Sequence, residues 1–290
     1  QGRNFCSKIW NAFRLIKGWT VDDNIQAPDA AKLAVHWFES KQNEVAAEVA
    51  DLFSKYRLSE ALMAVYKLFW DEFSSWYLEM IKPAYGQPIN RKVYEATFGF
   101  FDNLLHLLHP FMPFITEELW QHLCDRTDGE SLMVSPLSMS ALVDEDIIRE
   151  FEVVKEVISN IRSIRLQKNI AQKEALELQV IGENPVVAFN AVITKMCNLS
   201  SIDVVENKAD ASVAFMVGTI EFVIPLEAYG TLFMEAEIAR MEAELKHKEG
   251  FLQGVLKKLG NEKFVNNAPA AVLEMERKKQ ADAESIIKSL

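Results

Sequence analysis

Along most of this chain apolar residues recur at spacings of three and four, the period of a helix that turns one face to a core. Phe5, Ile9, Phe13 and Ile16 form a first stripe, residues 28–56 hold a second, and Leu62, Val65, Phe69, Phe73, Trp76 and Met80 form a third. Ser59 is the predicted N-cap of the third, and Lys82-Pro83 stops it. Gly18, Arg57-Leu58 and residues 84–88 read as connections, and a fourth stripe runs from Val93 to Leu108. The run His109-Pro110-Phe111-Met112-Pro113 then ends one helix and starts another. Pro110 cannot continue a helix, whereas Pro113 fits a first turn, where the missing amide hydrogen costs nothing, and Glu117 and Glu118 follow near the positive end of the new helix. Such stripes with short connections predict a helix bundle over residues 1–140.

Periodicity fades over 124–145, where Asp128-Gly129, Ser135-Pro136 and Asp144-Glu145-Asp146 mark a linker. A second module, 141–230, opens with a helix that turns Ile147, Phe151, Val154, Ile158 and Ile161 inward. The period then becomes two, with Leu176, Leu178 and Val180 alternating with Glu177 and Gln179. A short helix from Pro185 to Cys197 and strands at 202–205, 212–217 and 219–224, the last pair turning at Gly218, complete a small α+β module that should be antiparallel. From Thr231, Met234, Ile238, Met241, Leu245, Leu252, Val255 and Leu259 keep a heptad seam broken only at Lys248. Residues 260–269 interrupt it. Val272, Met275, Ile286 and Leu290 supply a thinner second stripe, with Lys279 and Asp282 on the expected seam. The fold class is therefore mainly α: a helix bundle, a small α+β module, and over 231–290 a C-terminal antiparallel coiled-coil hairpin whose first arm, roughly 40 Å long, projects into solvent.

A length of 290 residues with 49% hydrophobic and 25% charged residues excludes a largely disordered chain. No run approaches the roughly 18 apolar residues of a membrane span, and the start at Gln1 has neither an initiator Met nor a secretory segment, so part of a longer protein is expected. Cys6, Cys124 and Cys197 are widely spaced, which fits free thiols in a reducing cytoplasm. The net charge of -11 argues against nucleic acid on its face. Its distribution does not: residues 1–19 hold Arg3, Lys8, Arg14 and Lys17 without an acid, and residues 162–173 hold Arg162, Arg165, Lys168 and Lys173 without one.

In the first helix Arg3, Ser7, Trp10, Arg14 and Lys17 also share a face, setting an indole among cations. Unpaired RNA bases stack on aromatic rings while Lys and Arg hold phosphates. Spacing alone favours the plainer reading, in which Trp10 packs on a neighbouring helix. His106, His109, His122 and Cys124 invite a zinc site, but His109 precedes a proline, His106 lies among leucines and no ligand spacing organises the set, so packed or capping histidines are expected. Neither a phosphate loop nor a nucleophile elbow is visible, and no catalytic site is expected. Lys246, His247, Lys248, Lys257, Lys258 and Lys263 concentrate charge toward the hairpin tip, where a solvated coiled-coil face is the default.

Arg3 to Ala12 and His109 to Trp120 resemble landmarks of the anticodon-binding helical domain of class I aminoacyl-tRNA synthetases for branched aliphatic amino acids, the valyl-tRNA synthetase family above all. Asn160 to Ile170, with Arg162, Arg165 and Asn169, is similar to that family's junction segment, and Asn261 to Phe264 with Ala268-Pro269 to the turn of its C-terminal arm. The resemblance runs from end to end and reverses the balance at Trp10. It implies an anticodon stem-loop held on the bundle and an arm reaching the outer corner of the tRNA. Contacts are implied at Arg3, Asn4, Lys8, Trp10, Asn11, Arg14 and Lys17, at Arg162, Arg165 and Lys168, and at Lys246, Lys257, Lys258 and Lys263. It further implies a cytoplasmic, monomeric enzyme that joins valine to tRNA(Val) with ATP and Mg2+ bound by domains not included here, so that no cofactor, metal, DNA or membrane is expected of these residues. The competing expectation, from the heptads and the acidic total, is a coiled-coil scaffold without RNA binding.

Overall fold

The computed structural model describes residues 2–137, 139–207, 212–225, 245–246, 248–260, 273, 275, 277 and 279–280. They divide between two compact units, Gln1–Arg162 with Gln172–Lys208 and Ala214–Ile224, and Ser163–Ala171 with Ala209–Val213 and Pro225–Leu290.

The first unit is mainly helical. Its chain runs α1 (Gly2–Lys17), β1 (Val21–Asp22), α2 (Asp29–Ser54), α3 (Leu58–Lys67), a π-helical segment (Leu68–Tyr77), α4 (Leu78–Ile81), β2 (Ile89–Asn90), α5 (Arg91–Leu108) and α6 (Pro113–Leu123). The predicted stripes form its core: Phe5, Ile9, Phe38, Phe69, Phe73, Phe101 and Leu104 are all buried. Rings interlock there, with Phe38 facing Phe73, Tyr77 and Phe100 at centroid distances of 5.3, 4.9 and 5.2 Å. Aromatic pairs at such distances add to their area burial. The short parallel pair of β1 and β2, Val21 opposite Ile89, carries no sequence signal.

Two expectations for the third stripe are corrected. Arg57, not Ser59, stands at the N-cap of α3, without a side-chain cap, because a guanidinium has no acceptor to offer the first amides; it donates to the Glu60 carboxylate instead. The helix from 58 to 81 is also not α throughout, since its central ten residues wind with i→i+5 bonding. The wider turn puts Phe69, Phe73 and Tyr77, four apart, on the fully buried line, and Trp76 moves from the predicted stripe to its edge.

The proline corner forms as predicted. His109 caps α5 and Pro113 is the first residue of α6. The Thr116 hydroxyl donates to the Met112 carbonyl at 2.9 Å and meets His109 Nδ1 at 2.8 Å, which fixes the turn from both sides. Glu117 serves a different purpose from a dipole partner: its carboxylate accepts from Ser131 Oγ and the Leu132 amide, tying the 124–134 stretch onto α6. Arg126 lies 3.3 Å from the Trp120 ring centroid and 3.7 Å from Asp102, closing the far end of α6.

Beyond the linker come α7 (Glu145–Gln167), β3 (Leu176–Ile181), α8 (Asn190–Cys197), β4 (Leu199–Val205), β5 (Ser212–Val217) and β6 (Ile220–Pro225). Asp144 Oδ1 accepts from the Asp146 and Ile147 amides to cap α7. The sheet order is β4-β3-β6-β5, and it is mixed rather than antiparallel, for β3 and β4 run parallel while β3 and β6 run antiparallel. The cause is the helical crossover through α8, long enough to return the chain in the same direction. The expected helix from Pro185 shortens to a 3-10 turn at Val187–Phe189 followed by α8. Gly218, at φ 59°, makes the predicted β5–β6 turn.

In the second unit Leu245, Lys248, Leu252 and Leu259 are half-buried and Val255 is buried, whereas Lys246, Phe251, Gln253 and Leu256 are exposed. Over 245–259 the burial thus keeps the four-three spacing, whereas Met275 of the predicted second stripe is exposed. Met234, Ile238, Met241, Val272, Ile286 and Leu290, and the turn at 261–269, lie outside the described residues. No helix of the described residues is long and apolar enough to cross a membrane.

Candidate nucleic-acid interface

Phe5, Ile9, Ala12 and Ile16 bury one face of α1. At 3.6 residues per turn Arg3, Ser7, Asn11 and Arg14 then point the opposite way, and all four are exposed together with Asn4. Trp10 flanks them, 39% exposed, its ring tilted against Phe13 at a centroid distance of 6.1 Å. It is not a core residue. Lys17 is only partly available, because its Nζ donates to the Leu123 carbonyl at 3.1 Å and so caps α6.

Lys8 lies on the other edge of α1. Its ammonium sits 4.6 Å from the centroid of the Trp70 ring, which stacks on Tyr66 at 5.6 Å and 16°. At the end of the first unit Arg162 is exposed and lies 5.4 Å from the centroid of Trp76. Elsewhere in this unit cations meet carboxylates: Lys41 with Glu44, Lys155 with Glu72 at 2.7 Å, and Arg91 with Asp23. The side chains of Arg3, Lys8, Arg14 and Arg162 have no hydrogen-bond or ion-pair partner among the described residues.

In the second unit Lys168 is exposed on the turn that follows α7. Arg165 is not a surface group. It is 1% exposed, and its Nη1 donates to the Ala171 carbonyl at 3.0 Å while its own carbonyl accepts from the Ile170 amide. Periodicity could have shown this, since Arg165 lies on the inward face with Ile158 and Ile161. Lys246, Lys257 and Lys258 are exposed on the arm, and Lys263 lies outside the described residues.

Of the candidate histidines, His106 is held in packing and His122 is exposed in a surface pair. His106 Nδ1 meets the Asp102 carbonyl at 2.9 Å, and His122 Nε2 meets Glu118 at 3.1 Å. No group of three or more His, Cys, Asp or Glu among the described residues could hold a metal ion. The residues missed in the sequence are Tyr66, Trp70 and Trp76. The available signal was the aromatic density of 66–77, which reads equally well as core.

Two family profiles match the chain, the anticodon-binding domain of tRNA ligase over residues 35–180 and the valyl tRNA synthetase tRNA binding arm over residues 234–289. The chain is 81% identical to a valine–tRNA ligase of Bacteroides thetaiotaomicron and 72% identical to one of Phocaeicola vulgatus, in each case over 100% of this chain and 33% of the relative. A Porphyromonas gingivalis valine–tRNA ligase is 54% identical over the same shares. The chain thus spans about a third of the length of the curated relatives it matches. It belongs to the family of anticodon-binding domains of tRNA ligases, and its likeness within that family is to the valine–tRNA ligases.

Proposed function

We propose that this chain is the tRNA-recognition part of a valine–tRNA ligase and that it holds the anticodon stem-loop on the outer face of α1. The observation that carries the reading is an exposed Trp10 beside Arg3 and Arg14, cations that no carboxylate among the described residues neutralises. A ring in that setting stacks an unpaired base, and free cations gain by releasing the counterions of phosphates. Asn4 and Asn11 add hydrogen-bonding groups. Lys8 and Arg162 extend the positive surface of the first unit, Lys17 contributes from the helix end, and in the second unit Lys168 would add a phosphate contact and Lys246, Lys257, Lys258 and Lys263 would meet the outer corner of the tRNA. Arg165 is assigned instead to holding the turn after α7.

In this reading 1–140 binds the anticodon arm, 141–230 forms the junction and 231–290 is the coiled-coil arm. Valine activation with ATP and Mg2+, and its esterification to tRNA(Val), belong to parts of the protein outside this chain, which works as a cytoplasmic monomer that does not bind DNA.

Titration with a tRNA(Val) transcript should give binding at low salt that weakens linearly on a log-log plot as salt rises. Trp10→Ala should raise Kd by roughly tenfold, in keeping with about 1–3 kcal/mol per stacked base, without changing the melting midpoint. Indifference to tRNA at every salt concentration would sink the reading. Light scattering separates it from the scaffold alternative, since a concentration-dependent dimer abolished by Leu252→Lys would favour the latter.

A further inference from the structure

Both positive islands end on the same piece of backbone. Lys8 from the first lies over Trp70 and Arg162 from the second over Trp76, and both tryptophans belong to the π-helical segment Leu68–Tyr77. A π-helical stretch recurs at functional sites because it aims side chains that a regular helix cannot. Here Phe69, Phe73 and Tyr77 take the fully buried side, while Asp71 and Ser75 are exposed between the two half-buried indoles. The Ser75 hydroxyl donates to the Trp70 carbonyl five residues back, at 2.9 Å, which supports the wide turn.

We propose that Trp70 and Trp76 are positioning residues for RNA binding: each indole holds one unneutralised cation, Lys8 or Arg162, at a fixed place where it takes a backbone phosphate of the bound strand. The inference rests on the RNA-binding reading above. A long Lys or Arg side chain free in solvent loses rotamer entropy when it meets a phosphate, and an aromatic floor removes part of that loss beforehand while leaving the charge available. The ring face attracts the cation without neutralising it, as a carboxylate would. Exposed Asp71 between the indoles repels a phosphate there, so the surface has two holding points and not a continuous strip.

A double-mutant cycle on tRNA affinity tests this at fixed low salt. Lys8→Met should weaken binding and lower the salt slope by about one. Trp70→Leu should raise Kd about two- to fivefold, in line with an exposed cation–aromatic contact. On the Lys8→Met background the effect of Trp70→Leu should shrink to whatever general loosening leucine causes, and because that loosening is common to both backgrounds the difference between them isolates the part that passes through the ammonium. Trp70→Phe, which keeps an aromatic floor, should fall between wild type and leucine. The Trp76 and Arg162 pair should behave in the same way. Equal effects of Trp70→Leu on both backgrounds, or none on either, would overturn the positioning role while leaving RNA binding intact. Loss of all binding by the unmodified chain would remove the reading itself.

Discussion

The hydroxyls of Tyr77 and Thr97 meet at 2.7 Å in the core, and Thr97 also lies 2.7 Å from the Val93 carbonyl, to which only it can donate. Tyr77 must therefore be the donor to Thr97, and burial, which pushes its pKa well up, keeps it protonated. The two partners are not equivalent. Tyr77→Phe leaves Thr97 satisfied and should cost about 1 kcal/mol, whereas Thr97→Val strands a buried phenol and should cost about 2 kcal/mol, as urea unfolding would resolve. Glu117 offers a test by pH. Burial raises its carboxyl, but hydrogen bonds from Gln121, Ser131 and the Leu132 amide, with His109 nearby, outweigh that and hold it below the usual range. A folded value below the unfolded one means a contribution fully present above about pH 4.3 and lost as pH falls through the folded value. Glu117→Gln should thus lower stability by about 1 kcal/mol at neutral pH, a figure kept small because the group is partly solvated, and the gap to wild type should narrow as the pH falls below the usual carboxylate range.

At the scale of elements, α5 carries Gly99 on an exposed turn where an added Cβ would meet nothing within 4 Å. Gly99→Ala should stabilise the bundle by about 1 kcal/mol and raise the melting midpoint by about 2–4 °C. The helices were legible because their buried positions obey one period: Phe5, Ile9, Ala12 and Ile16 mark α1 as clearly in sequence as in space. The π-helical segment was not, because Phe69, Phe73 and Tyr77 at spacings of four fit an α-helix nearly as well, and only the side on which Trp76 falls tells the two apart. The sheet was legible strand by strand but not in direction, since alternation in Leu176 to Val180 says which face is buried and nothing of which neighbour pairs. Of the candidate site, α1 could be read from the absence of acids in residues 1–19 of the chain. The floor beneath Lys8 could not, because Trp70 lies 62 positions away in the chain.

The molecule as a whole combines a net charge of -11 with four cations, Arg3, Lys8, Arg14 and Arg162, that have no ion-pair partner among the described residues. Long-range repulsion and local attraction for RNA therefore act together, and added salt screens both within about 10 Å at 0.1 M. Raising salt should weaken tRNA binding measured by filter retention much more than it shifts the melting midpoint, because the core is apolar and aromatic. Equal sensitivity of the two would place the cations in structural roles. The first unit also joins bundle and sheet more firmly than a linker suggests, for Lys195 of α8 donates to the carbonyls of Met80 at 2.6 Å and Lys82 at 2.9 Å, where α4 ends. These partners stand up to 115 positions apart. At synthesis rates of about 5–20 residues per second, the end of α4 leaves the ribosome roughly 6–23 s before the ammonium that closes it, so the nascent bundle must wait with that end open.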